Sequence, residues 1–376
     1  MGVTARRTIC LAMIVLLFPV INADSIVELR EMVDLEEFDM ELVGAVTDQQ
    51  NEEVLAYGKN SKMIIMNLKN PRNNFDLKWN QSYNMSDADY HPGGKTALIV
   101  GEQGIVLRYS KTTGEAVRVG NYLQYANNKL ESISWNADGS WAYIGSEEGN
   151  IWRFRGGVDN TSQTYLISKR ILSKITSIDC HNQVNLCVVT TLYDGIGIID
   201  DTHRISWIGG TNYPWTDINC PKGNSCVAIS TENNLGAIIL DLNEPSNSSL
   251  EVTYLGEIEG KMRIVESQNW DSSLITLVPF SLIEYNSTTN QAFLWLEHFD
   301  VKEFSAALSD ENIISTWGLN ENSGWILTSQ GTVIKYESIA INSNNELTVP
   351  VPVILIFIAI TIGIFYNKIV RIRYKK

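Results

Sequence analysis

The chain is poor in the residues that carry most catalytic chemistry. Its four histidines, His91, His181, His203 and His298, are widely spaced and show no paired metal-ligand pattern. There is no Gly-x-Ser-x-Gly nucleophile elbow and no glycine-rich phosphate loop. Nothing in the sequence therefore calls for a nucleophile, a metal or a cofactor. Cations are also scarce: 29 Lys and Arg stand against 43 Asp and Glu, for a formal charge of −14. Arg6 and Arg7 sit at the N-terminus, and Lys368, Arg371, Arg373, Lys375 and Lys376 at the C-terminus, so the segment between is more acidic still. Such a surface repels nucleic acid and anionic lipid, which excludes a nucleic-acid partner. It reads first as a solubility device, with binding of cations or a basic partner as the alternative.

Uncharged apolar runs are equally few, and they lie at the ends. Residues 1–23 read as a secretory signal: Arg6-Arg7, an apolar stretch from Ile9 to Val20, then Ile21-Asn22-Ala23 as the cleavage site. Residues 349–366 carry no charge and are long enough to cross a bilayer as a helix. Pro350 and Pro352 fall at its start, where a missing N–H costs little. Residues 367–376 form a basic tail, and positive residues stay inside. The expectation is a single-pass cell-membrane protein. Its ectodomain, residues 24–342, lies outside; a linker at 343–348 leads to the span, and the tail lies in the cytoplasm. So short a linker holds the ectodomain close to the membrane.

The ectodomain is a repeat. Leu130–Arg155 reads as three short strands joined by Asp138-Gly139 and Glu148-Gly149, which are hairpin signals because glycine supplies positive φ at little cost. One such meander has open edges and half a core. The unit recurs about every 45 residues, the spacing of four-stranded propeller blades. Tyr90, Trp135, Cys180, Cys220, Trp270 and Trp317 are expected to close the first strands. Gly58, Gly104, Gly149, Gly195, Gly236 and Gly331 are expected at the second turns, with a degenerate copy near Phe280. The fold class is all-β, a seven-bladed β-propeller of four-stranded blades, plus the C-terminal helix. Blade 7 needs a fourth strand. Ser338–Ile341 is one candidate and the N-terminal Ile26–Leu29 the other. The N-terminal strand is favoured, because a blade shared by both ends locks the ring.

At Tyr90-His-Pro-Gly-Gly-Lys and Trp135-Asn-Ala-Asp-Gly-Ser the repeat resembles the WD40 and YVTN-like propellers. Gly101-Glu-Gln-Gly-Ile-Val-Leu-Arg-Tyr109 is similar to blades of the photosystem-assembly-factor propellers. The blades lack the Gly-His opening and Trp-Asp close of typical WD40 units. The resemblance implies a protein-binding or assembly scaffold. The alternatives are an exported propeller hydrolase or lyase, whose side chains converge from several blades, and a cell-surface receptor for glycans.

Cys180 with Cys187 and Cys220 with Cys226 bracket first-to-second-strand turns, so each pair is expected to close a short disulfide loop in an oxidising compartment. The alternative is a metal site that uses Cys180-His181. Sequons at Asn80, Asn84, Asn160, Asn247 and Asn286 fall in or beside loops and are candidate glycosylation sites. Glu102, Glu147, Glu148, Asp194 and Glu232 fall on second-to-third turns. They are expected to gather on one face as an acidic rim, which binds a cation or basic partner or is simply solvated.

Overall fold

In the computed structural model the described residues run from 25 to 339, apart from short loop segments at 36–39, 49, 51, 121, 126, 157–161, 169–171, 221–222, 257, 268–271 and 321. The expected signal, linker, span and tail lie outside the described residues, as do Asn160 and Trp270. Among the described residues no helix is long and apolar enough to cross a membrane.

Seven four-stranded antiparallel sheets follow one another along the chain. Their innermost strands are Leu42–Thr47, Met85–Tyr90, Leu130–Trp135, Ile175–Cys180, Trp215–Asn219, Lys261–Ser267 and Ile313–Asn320, in blades 1 to 7. Six blades are sequential. The seventh takes its outer strand from the N-terminus: Val27–Asp34 pairs antiparallel with Thr332–Ser338. The ring closes as expected, with Val27 rather than Ile26 as the first paired residue.

Burial follows strand position. The second strands, such as Ala142–Ser146 and Cys187–Thr191, are buried throughout and are covered on both faces, so they read as continuous apolar runs. The outer strand Ser249–Tyr254 carries no fully buried residue. The core is divided into seven apolar clusters, each shared by two adjacent blades. One joins Leu55 and Met63 of blade 1 to Tyr90 and Ile99 of blade 2. Another joins Phe280 of blade 6 to Val27 and Ile334 of blade 7. A single blade therefore has no core of its own, and the fold is stable only as a ring.

Local chemistry corrects several expectations. At the second turns, Gly104, Gly149, Gly195 and Gly331 take positive φ as expected, but in blades 1 and 5 Ser61 and Asn233 occupy that position. Gly58 ends an extended strand, and Gly236 lies inside Asn234–Ile239. Asparagine tolerates the left-handed region, and the Asn233 amide donates to Gly260 O at 2.9 Å. In blade 6 Ser267 stands in the register position that Trp135 holds in blade 3, five residues past the start of the bulge. The last strand of blade 1 is Asn74–Asp76, and Trp79 lies beyond it. A short helix, His298–Phe304, sits between blades 6 and 7, where no helix was expected.

Both disulfides form. Cys180 and Cys187 are direct cross-strand partners with Cα atoms 3.9 Å apart, and Cys220 and Cys226 are 4.3 Å apart. Each closes a short hairpin loop, so replacing either pair by alanine is expected to cost about 2 kcal/mol in urea unfolding. No change in midpoint would show that the hairpins are held without the bridges.

Candidate functional sites: the channel and the two faces

The innermost strand of each blade has one edge unpaired, and it faces the axis. Backbone N–H groups along it need other partners. All seven inner strands carry a β-bulge at the same place, between residues such as Met85/Asp87, Leu130/Ser132 and Trp215/Asp217. The bulge adds twist. Just past it, polar side chains reach sideways to the next blade.

These contacts form a belt. Asp87 accepts from Ile133 N at 2.8 Å and Ser132 Oγ at 3.1 Å. Ser132 Oγ in turn accepts from Ile178 N at 2.8 Å. Asp89 accepts from Trp135 N at 2.7 Å, and Asp179 from Cys220 N. Asp217 accepts from Val265 N at 2.9 Å. Glu266 accepts from Thr316 N, and from Thr316 Oγ1 and Ser315 Oγ at 2.7 Å each. Ser315 Oγ also lies 3.4 Å from Ala45 O of blade 1, and the Tyr57 hydroxyl of blade 1 donates to Asp87 at 3.0 Å. The belt thus runs through all seven blades.

Burial dominates the electrostatics here. It pushes Asp87 and Asp217 up to about 6, and Asp89 and Glu266 up to about 7; Asp179 rises well above the usual carboxylate range. The hydrogen bonds oppose this, while repulsion between Asp179 and its neighbours Asp89 and Asp217 adds to it. All five groups keep some exposure toward the channel, although protein atoms crowd them. The belt leaves no trace in the sequence, because its partners lie 30 or more residues apart.

At one face lie the second-to-third turns, which carry the expected acidic rim. Glu147, Glu148 and Glu232 are exposed there. Glu102 instead accepts from Asn84 N and from Asn84 Nδ2 at 2.9 Å, and Asp194 accepts from Ser173 N. Lys129 and Lys174 both pair with Glu131, at 2.9 and 3.0 Å, so cations interleave with the rim. The turns share a face by topology, and two of the five carboxylates are tied to the inter-blade loops.

The sequons differ in the same way. Asn80 is exposed, whereas the Asn84 amide donates to Glu102 and accepts from Asn60 N at 3.1 Å. Asn247 Nδ2 bonds to Glu244 in an exposed turn, and Asn286 Oδ1 accepts from Thr288 N and Thr289 N. In a glycosylating host, Asn80→Gln is expected to remove one glycan increment on a gel and Asn84→Gln none. The opposite pattern would show that the Glu102 contact does not protect Asn84.

The opposite face carries first-to-second turns. His91 Nε2 donates to Gly139 O of blade 3 at 3.2 Å, and His181 bonds to Gly223 O of blade 5. Both histidines staple neighbouring blades. The metal alternative at Cys180-His181 is thereby replaced by a disulfide and a backbone contact. Among the described residues, no three His, Cys, Asp or Glu side chains are grouped to hold a metal ion. Near this face Arg153 lies between two rings, 4.5 Å from Trp141 and 4.9 Å from Tyr165. Arg155 is 5.8 Å from the same indole.

Ring closure, seven shared cores and the inter-blade belt define a seven-bladed β-propeller. No protein-family model matches the chain, and no curated protein sequence does. Among solved structures it is similar to the β-propeller domain of Myceliophteria thermophila Cps50 (Swd1), with a TM-score of 0.65 at 11% identity, covering 83% of this chain and 100% of that one. A likeness at that identity concerns the fold alone.

Proposed function

We propose that the chain is an exported, membrane-anchored β-propeller that serves as a binding scaffold for a protein partner. Its ring lies outside the cytoplasm, residues 349–366 cross the membrane, and the basic tail lies inside. One observation carries the scaffold reading: the channel carboxylates Asp87, Asp89, Asp179, Asp217 and Glu266 are all engaged in joining blades. A propeller hydrolase or lyase would draw on such groups at the channel. Here they rigidify the ring and leave recognition to the loops of the two faces. The two disulfides support an oxidising compartment.

The test uses the full chain with an epitope at each end of the mature protein. Protease added to intact cells is expected to destroy the N-terminal epitope and spare the C-terminal one. The reverse result overturns the topology. For binding, chemical cross-linking is compared between the native chain and a variant carrying Glu147→Lys, Glu148→Lys and Glu232→Lys. A cross-linked partner lost in the variant assigns the acidic face, and one retained assigns the other face. No specific partner with either protein overturns the scaffold reading.

A further inference from the structure

We propose that the seam between blades 2 and 3 holds a binding site for a small anionic saccharide, one bearing a carboxylate or a sulfate. A cavity of about 330 Å³ opens there, lined among others by His91, Arg108, Trp135, Phe154 and Arg155. That volume lies at the low end of the range for small-molecule sites and suits one or two sugar rings better than a peptide strand. The lining contains no Asp or Glu, in a chain where acids outnumber bases 43 to 29. Asp138, next to the lining residue Gly139, is held by Ser140 N at 2.8 Å and Asn185 Nδ2 at 2.8 Å.

Two further observations point to an absent ligand. The indole N–H of Trp135, which lines the cavity, is buried and has no hydrogen-bond partner among the described residues. Buried donors are ordinarily paired, so an unpaired one marks a place where an acceptor belongs. Arg155 has no carboxylate partner among the described residues; its contact is with the Trp141 ring at 5.8 Å. Arg155 sets its planar guanidinium fork, suited to a bidentate anion, in the cavity lining. Guanidinium groups, a free N–H and aromatic rings around a small cavity are what a sugar acid needs: an anion clamp and apolar faces for the ring carbons.

The assignment rests on the ring lying outside the cytoplasm, where such glycans occur. The topology assay above fails independently of the one below. Full-length protein in detergent micelles is titrated with a glucuronate-terminated disaccharide, a sulfated disaccharide, a neutral glucose disaccharide and octaglutamate, followed by tryptophan fluorescence and calorimetry. At least one anionic sugar is expected to bind at least tenfold more tightly than the neutral one, and the preference between them identifies the anion. Arg155→Gln, at an exposed position, is expected to abolish that preference. Trp135→Phe, which keeps the ring and deletes the N–H, should weaken binding several-fold. Equal binding of neutral and anionic sugars, no binding of either, or unchanged affinity in Arg155→Gln overturns the proposal. Tighter binding of octaglutamate than of either sugar overturns it in favour of an acidic peptide.

Discussion

Val27→Asp is expected to destabilise the protein by about 4 kcal/mol, the cost of an unpaired charge in a core. Val27 is 1% exposed and packs with Phe280, Ile334 and Tyr336, so this strand contributes to the core between blades 6 and 7. It also supplies the outer hydrogen-bonded edge of blade 7, from Val27↔Ser338 to Asp34↔Thr332. In a ring, loosening one seam exposes two sheet surfaces rather than one loop, so unfolding should remain cooperative and simply begin at lower urea. The control is Arg30→Ala on the same strand. Arg30 pairs with Glu28 and Glu337 in the open, and such surface pairs are worth about 0–1 kcal/mol. Urea midpoints for the two variants decide the matter. Equal, small shifts would mean that the N-terminal strand does not lock the ring.

The second large effect is on pH. The belt carboxylates have folded-state values near 6 to 7, above the ordinary values of 3.8 and 4.5. A raised acid binds its proton more tightly in the folded chain than in the unfolded one. Its contribution to stability is therefore fully present below the unfolded value and is lost as pH rises through the folded one. The melting temperature is expected to fall between pH 5 and pH 8, by on the order of 5 °C. Below pH 4 the trend reverses. Burial raises Asp48, but Lys111 and the N–H groups of Glu52 and Glu53 outweigh it, so its pKa is lowered. Ser140 and Asn185 likewise lower Asp138. Protonating those two groups removes their hydrogen-bonded charge. Calorimetry from pH 3 to 9 should show a maximum near pH 5. Glu266→Gln should flatten the alkaline side, because a neutral amide still accepts from Thr316 while shedding the buried charge. A melting temperature that rises from pH 5 to 8 would mean the belt carboxylates are ionised at little cost.

Much of this architecture can be read along the chain because its signals are local. Asp138-Gly139 and Glu148-Gly149 mark hairpins whose strands lie side by side in sequence. The disulfide pairs are six or seven residues apart, so a hairpin brings them together without knowledge of the whole fold. The exceptions are informative. Asn233 replaces the expected turn glycine of blade 5, since left-handed φ is open to asparagine and Gly236 is needed elsewhere: a Cβ there would approach Trp215 to 3.0 Å. In blade 6 the bulge between Met262 and Ile264 sets the register and puts Ser267, not an aromatic, five residues past its start.

The candidate sites were far less legible. Glu102 and Asp194 belong to the expected rim, but only the fold shows that Asn84 and Ser173 of the inter-blade loops engage them. The stacking of Arg153 between Trp141 and Tyr165 was not anticipated. Arg153 lies opposite Tyr143 and Tyr165 across two strand pairings, and Trp141 stands just before one of them. Such neighbours are invisible until the register is known, because a shift of one residue moves every side chain to the other face.

By itself, then, the sequence determined the number of blades, their hairpins, the disulfide pairs and the acidic balance, all consequences of contacts within one repeat. The tertiary structure alone decided which strand closes the ring, how the inner-strand carboxylates join neighbours, and where Arg155 and the unpaired Trp135 indole line one cavity. The reason is physical: a blade is built from neighbours in sequence, but its core and its polar belt are each completed by the next blade.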